Sequence, residues 1–199
     1  MPSWNPSSNK TGQILAAAEK SGYGVVAPIA YSLEHVVAFT RAAEERRSPL
    51  IIQVFPWAIK FYNGLLVRAA ADAAARASVP IAIHLDHAQD ETMIQLAADT
   101  LPFDSIMIDM SHYDMPVNLA KTATLVRYCH DRGIATEAEP GRIEGGEDGV
   151  SDTADLESVM TTEEQLDEFI ATGIDFLAPA FGNVHGEYGS KGPSLDFER

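Results

Sequence analysis

Three ionisable side chains crowd into the stretch IAIHLDHAQD, residues 81–90, where His84, Asp86 and His87 follow the strand-like run Ile81, Ala82, Ile83. Burying an unpaired polar group costs on the order of 2–7 kcal/mol, and a charge more. The strand therefore either surfaces into solvent here or ends in a site that satisfies these groups. In the second case the site is a metal or acid–base centre. Similar residues gather at comparable places downstream: Asp109, Ser111 and His112 after FDSIMID, Glu137 and Glu139 in IATEAE, and His185 in FGNVHGEY. Imidazole nitrogen and carboxylate oxygen are the donors a catalytic zinc takes while keeping one position open. Singly, each residue has a quieter reading. His84 reads as a core histidine with satisfied ring nitrogens, and Asp109 and Glu139 as polar caps. His130 reads as a surface group favoured by a helix C-terminus, and His35 as a residue of a helix face. The coincidence of four strand ends favours the metal reading.

Short β-rich runs alternate with helical stretches and must position these groups. Strands are expected at 23–30, 49–55, 80–86, 103–109, 134–139 and 174–182. Helices are expected at 32–47, within 59–78, near 91–100, at 117–133 and from Thr162 to Gly173, and another is expected to begin at LDFER. In the 32–47 helix, Leu33, Val36, Val37 and Thr40 make the apolar face. Thr162 and Gln165 have capping-box spacing, and Gly133 and Gly173 stand where helices stop. Repeated βα units without a second-domain linker fit a doubly wound sheet or a barrel. In either, the strand C-termini share one end, where ligands bind. An eight-stranded barrel takes about 250 residues, and this sequence of 199 residues holds six units.

Composition bounds the partners. The chain is 46% hydrophobic and 22% charged, a globular profile. Its formal net charge of −15 argues against nucleic acid or an anionic membrane as partner. A phosphorylated ligand would need compensation from a metal, helix N-termini or placed cations. No run of about 18 apolar residues occurs, and the N-terminal residues lack the blocks of a secretory signal. The lone Cys129 allows no internal disulfide, so the cytoplasm is the expected compartment. The loop PGRIEGGEDGVSD (140–152) is rich in glycine and acid. It reads either as a solvated acidic segment or as a hinged lid that delivers a carboxylate, with Glu147 the candidate.

HLDHA, SIMIDMSHYDMPVNLAKT, EAEPGRIEGGEDG and AFGNVHGEY…LDFER, in this order and spacing, resemble the class II, zinc-dependent fructose-bisphosphate and tagatose-bisphosphate aldolases. The resemblance runs from about residue 12 to the last residue. It implies an α/β fold, a TIM (β/α)8-type barrel, with residues 1–199 a single domain incomplete at its C-terminal side after about six βα units. It implies an aldehyde-lyase of carbohydrate metabolism, as in glycolysis, which cleaves or forms a phosphorylated ketose through the enediolate of dihydroxyacetone phosphate. Carried over residue by residue, His87 and His185 resemble two of three zinc histidines. Asp109 and Glu139 resemble carboxylates near an alternative, buried metal position. Asp86 matches the acid–base residue for the hydroxyl at the reacting carbon, and Glu147 the loop glutamate that moves the dihydroxyacetone phosphate proton. Gly186 resembles the glycine that helps hold phosphate and, in some members, a monovalent cation. A homodimer or higher homo-oligomer is the implied assembly.

The sequence departs from the family in three respects. The third zinc histidine and the later glycine-rich phosphate loop belong to strands seven and eight, beyond the residues given. Ile29 replaces a polar asparagine and Phe55 a serine on the substrate side, which suits a different or less phosphorylated sugar, although Phe55 and Trp57 also read as packing residues. Gly189 stands where the family has a lysine, and Lys191 is the candidate to replace it in binding phosphate. Three functions follow: a zinc aldolase, a metal-binding relative without turnover, or a metal-dependent enzyme of another keto-sugar.

Overall fold

The computed structural model describes residues 4–143, 145, 160–188, 190 and 192–198. Five strands, β1 (Leu50–Val54), β2 (Ile81–Ala88), β3 (Ser105–Ile108), β4 (Ala135–Ala138) and β5 (Phe176–Leu177), form one sheet in the order β1-β2-β3-β4-β5. Every pair is parallel. Parallel pairing in strict sequence order, with no reversal, is the order of a barrel wall and not of a doubly wound sheet.

The period-two alternation of strand side chains divides the sheet into two faces. Ile52, Val54, Ile81, Ile83, Leu85, Ile106 and Ile108 join one apolar cluster with residues of the covering helices, among them Val36, Val67, Ile94 and Leu125. Fully burying such a side chain contributes about 1.5–3 kcal/mol. The alternate positions Ile51 and Ala82 belong to a second cluster with Ile14. Polar residues of the inner face are His84, Asp86, Ser105 and Asp109, all buried, and the partly exposed Glu137.

The helices are α1 (Lys10–Ser21), α2 (Leu33–Arg46), α3 (Pro56–Tyr62), α4 (Leu65–Arg76), α5 (Glu91–Thr100), α6 (Met115–His130) and α7 (Glu163–Ala171). Three of the starts, those of α1, α5 and α7, satisfy free backbone N–H groups with side chains. Asp90 accepts from Thr92 and Met93 at α5, and Thr162 and Gln165 form the expected capping box at α7. α1 lies across the strand entrances. Its N-cap Asn9 donates to the carbonyls of Asp104 and Gly133, and Thr11 bonds Ser105, the first residue of β3.

The structure corrects several expectations. Residues 23–30 run beside β1 with one isolated bridge, Ile29 to Gln53. Pro28 offers a carbonyl to Gln53 and has no N–H to return, which interrupts a regular ladder. The helix expected within 59–78 is two helices, because Asn63 and Gly64 take the left-handed conformation (φ 48° and 76°) between α3 and α4. On α2, Val36 and Ala43 are buried whereas Leu33 and Val37 are exposed. The regular part of the sixth expected strand is only Phe176–Leu177, and residues 197–198 form a turn where a helix was expected to begin. His130 is not a surface group. Its ring stacks on Trp4 at 4.3 Å and its Nε2 bonds the half-buried Asp175 at 2.9 Å. Among the described residues no helix is long and apolar enough to cross a membrane.

Candidate functional site

Alternation along β2 sends His84 and Asp86 to the inner face and Leu85 to the helix layer. His87 would follow Leu85, but the pairing with β3 shifts register between Leu85 and Ala88, and His87 takes a φ of 45°. A bulge of this kind re-aims a side chain. A left-handed non-glycine residue costs about 1–3 kcal/mol, an outlay typical of functional sites. The result is that Asp86 and His87, adjacent in sequence, serve the same end of the sheet.

There one donor atom from each of His87, Glu139 and His185 lies within 4.8 Å of the others. The rings of His87 and His185 meet edge to face with centroids 4.8 Å apart. Asp109 stands behind His87, with Oδ2 2.9 Å from Nδ1, so that Nε2 is left for a ligand. Asp109 is itself held by Ser111, whose N–H and hydroxyl both donate to Oδ1, and by Gln89. Carboxylate–histidine pairs of this form orient metal-ligating imidazoles. Glu139 accepts from the Ile143 N–H through Oε1, while its Oε2 is buried without a hydrogen-bond partner. An orphaned buried oxygen on a carboxylate beside two imidazoles is what a bound cation would satisfy, and the donor set suits zinc.

The electrostatics point the same way. Burial opposes a charge on His87, yet the Asp109 hydrogen bond and the fields of Asp86, Asp109 and Glu139 raise its pKa. Asp109 is buried too, but the bond to His87 and those from Ser111 hold it low. Burial pushes Glu139 up to about 8, with Asp109 adding to the effect. Burial, and then Asp86, push Glu137 up to about 7. His185 and His84 are pushed down, to about 4 and about 3, by burial and by His87. The carboxylates outnumber the cations they enclose, so the pocket attracts positive charge.

Two loops complete the mouth. Gly145, after β4, has a φ of 93°, and a β-carbon there would collide with the His185 carbonyl oxygen. Only glycine lets this loop approach His185 so closely. Gly186, beside His185, has a φ of 87° and open space where a side chain would stand. The structure thus gathers His87, Glu139 and His185, puts Asp109 behind His87, and leaves Asp86 nearby on β2. Glu147 and Lys191 lie outside the described residues, as does Gly189.

Two further residues flank this group, Glu137 of the strand-end acids and Phe55 of the substrate side. Glu137 has its Oε2 3.4 Å from His84 Nε2, and its place two residues before Glu139 on one strand face was the available signal. Phe55 is fully buried with its ring 6.1 Å from that of His87. Trp57 packs against the helix-side core and Tyr31, as a packing residue would.

Comparison with known proteins agrees with this geometry. The family model for fructose-bisphosphate aldolase class-II matches residues 9–199. A Coccidioides immitis protein provisionally named a fructose-bisphosphate aldolase is 55% identical over 206 residues, covering 100% of this chain and 68% of its own length. The fructose-bisphosphate aldolase of Thermus caldophilus is 38% identical over 189 residues, covering 94% of this chain and 61% of its own length. A crystal structure from Coccidioides immitis superposes with a TM-score of 0.95 at 58% identity, over 97% of this chain and 68% of that one. The YdjI aldolase of Escherichia coli K12 gives 0.73 at 28% identity, over 92% and 62%. With its strand order, its clustered histidines and these relatives in agreement, the chain belongs to the class II fructose-bisphosphate aldolase family.

Proposed function

We propose that this chain carries the metal-binding and proton-transfer residues of a zinc-dependent aldolase, a carbon–carbon lyase that cleaves or forms a phosphorylated ketose with the enediolate of dihydroxyacetone phosphate as intermediate. The observation that carries the reading is the set of three donor atoms from His87, Glu139 and His185 within 4.8 Å. These residues would hold the ion, and bound there it would supply Lewis-acid stabilisation of negative charge on a substrate oxygen.

The remaining steps belong to the chain. In cleavage, Asp86 takes the proton of the hydroxyl at the reacting carbon, that carbon becomes the aldehyde as the carbon–carbon bond breaks, and the bond's electron pair stays with the fragment that carries the ketone. Condensation returns the proton. Asp109 fixes the His87 ring. The bare backbone at Gly186 leaves room for phosphate or a monovalent cation, with Lys191 adding positive charge. Glu147 moves the proton of dihydroxyacetone phosphate. A cytoplasmic homodimer or higher homo-oligomer is the assembly this reading carries.

Phe55 favours a variant of it. An apolar ring beside His87 suits a keto-sugar with a smaller or less phosphorylated end than fructose 1,6-bisphosphate. The test is cleavage of that sugar and of other keto-sugar phosphates by zinc-loaded protein, with triose phosphate as the product followed. Chelator-sensitive cleavage, abolished in Asp86→Asn with zinc retained, is expected. Cleavage only of other keto-sugars supports the variant. Cleavage indifferent to chelator, or undiminished in Asp86→Asn, overturns the reading.

A further inference from the structure

A chain of buried polar groups runs up the inner face towards Asp86. Thr11 on α1 and Ser105 on β3 share a hydrogen bond of 2.9 Å, and Ser105 Oγ lies 2.8 Å from Nδ1 of His84, its register partner on β2. Thr11, Ser105 and His84 are 2%, 0% and 3% exposed. The far ring atom, Nε2, is buried and makes no hydrogen bond, yet it stands 3.4 Å from Glu137 Oε2 and 4.0 Å from Asp86 Oδ1. A buried polar atom left in this state calls for an explanation.

A lone pair on Nε2 would face two carboxyl groups in a low-dielectric interior, whereas an N–H there is attracted to both. Which nitrogen carries the hydrogen is set by what the other nitrogen bonds. If Thr11 donates to Ser105 and Ser105 donates to Nδ1, the hydrogen must be on Nε2.

We propose that His84 is a positioning residue for Asp86. The Ser105–Thr11 pair holds its ring from behind as the Nε2–H tautomer, so that one N–H lies between the carboxyl groups of Asp86 and Glu137 and sets the direction of Asp86. The inference rests on the reading of Asp86 as the proton-transfer group. It adds a role for His84, Ser105 and Thr11, which are not among the metal donors His87, Glu139 and His185. α1 thereby reaches the site from the strand entrances through two hydroxyl groups.

The first test needs no activity. Nitrogen-15 spectra of ring-labelled histidine in the full chain read the tautomer of His84 directly. A neutral Nε2–H ring is expected in the wild type and a mixture of tautomers in Ser105→Ala. A neutral Nδ1–H ring in the wild type overturns the proposal.

The second test uses zinc-loaded protein. His84→Phe is expected to lower kcat about 100-fold, the low end of what a general acid–base contributes. KM should stay within about twofold and zinc content should not change. His84→Gln, which keeps an N–H donor on a chain of similar reach, is expected to recover most of the loss. Equal impairment in the Phe and Gln variants, or none in either, overturns the positioning role. If His84→Phe does not fold, Ser105→Ala carries the test: a kcat loss of about tenfold is expected, and an unchanged kcat overturns the proposal. A wild type that cleaves no keto-sugar overturns the functional reading instead, and the ring tautomer then still decides whether His84 is held as described.

Discussion

Asp109 Oδ2 lies 2.9 Å from Nδ1 of His87, and both side chains are almost fully buried. The pair joins β2 to the residue after β3 and fixes the His87 ring beside Glu139 and His185. Much of the site's behaviour follows from that one bond, because a ring fixed by its neighbour meets a cation without reorganising.

Asp109→Asn should therefore weaken zinc binding about 10–100-fold, the usual effect of removing an orienting carboxylate. Competition with a chromophoric chelator measures it. Circular dichroism should show the fold retained, and unchanged affinity would mean that His87 does not depend on Asp109.

Gly145→Ala tests the loop that approaches His185. The position needs a φ of 93°, and its β-carbon would meet the His185 carbonyl. A loss of about 1–3 kcal/mol in denaturant unfolding and a weaker zinc site are expected together. A variant with wild-type stability and zinc affinity would show that the loop packs elsewhere.

Asp175 ties Trp4 to the end of α6 and to β4. It accepts from Trp4 Nε1 and from the Thr136 N–H, and its Oδ2 bonds His130 Nε2. Burial raises its pKa, but the bonds from His130, Thr136 and Trp4 outweigh that and hold it below the ordinary carboxylate value. A carboxyl with a depressed folded pKa contributes stability that is fully present above its unfolded value, about 3.9. That contribution is lost as pH falls through the folded value. Asp175→Ala should cost about 1–3 kcal/mol near neutral pH, because it strands buried donors. The variant should also unfold with a shallower dependence on acid below about pH 4. Urea melts at neutral and acid pH decide the matter.

Cys129 is fully buried on α6, and burial pushes its thiol up to about 12. A thiol reagent should leave the native chain unlabelled near neutral pH and react with one equivalent after denaturation. Rapid native labelling would place α6 differently from the packing described.

The motif HLDHA on β2 was legible as a site because three ionisable residues follow an apolar strand. Its geometry was not. Alternation alone puts His87 with Leu85 on the helix side, and the bulge with its left-handed residue is a tertiary choice that no local pattern announces. His130 shows the converse. Its place near a helix end suggests a solvated residue, but its partners Trp4 and Asp175 are far away in sequence, and no periodicity connects them. α1 has no clear signal in the sequence because it buries only Thr11, Ile14 and Ala18, too weak a stripe to stand out. The strand expected at 23–30 kept its place beside β1 and lost its regularity to Pro28. The alternating βα units were legible throughout, but they fit a doubly wound sheet as well as a barrel, and only the family resemblance pointed to the sequential order of a barrel wall.

The most direct test of the central claim is a zinc titration of chelator-stripped chain, followed by calorimetry and by metal analysis after gel filtration. His87→Ala, Glu139→Ala and His185→Ala serve as controls. About one zinc per folded chain, lost or greatly weakened in each variant, is expected if these three side chains form one site. No bound zinc, or zinc retained by all three variants, would contradict the account.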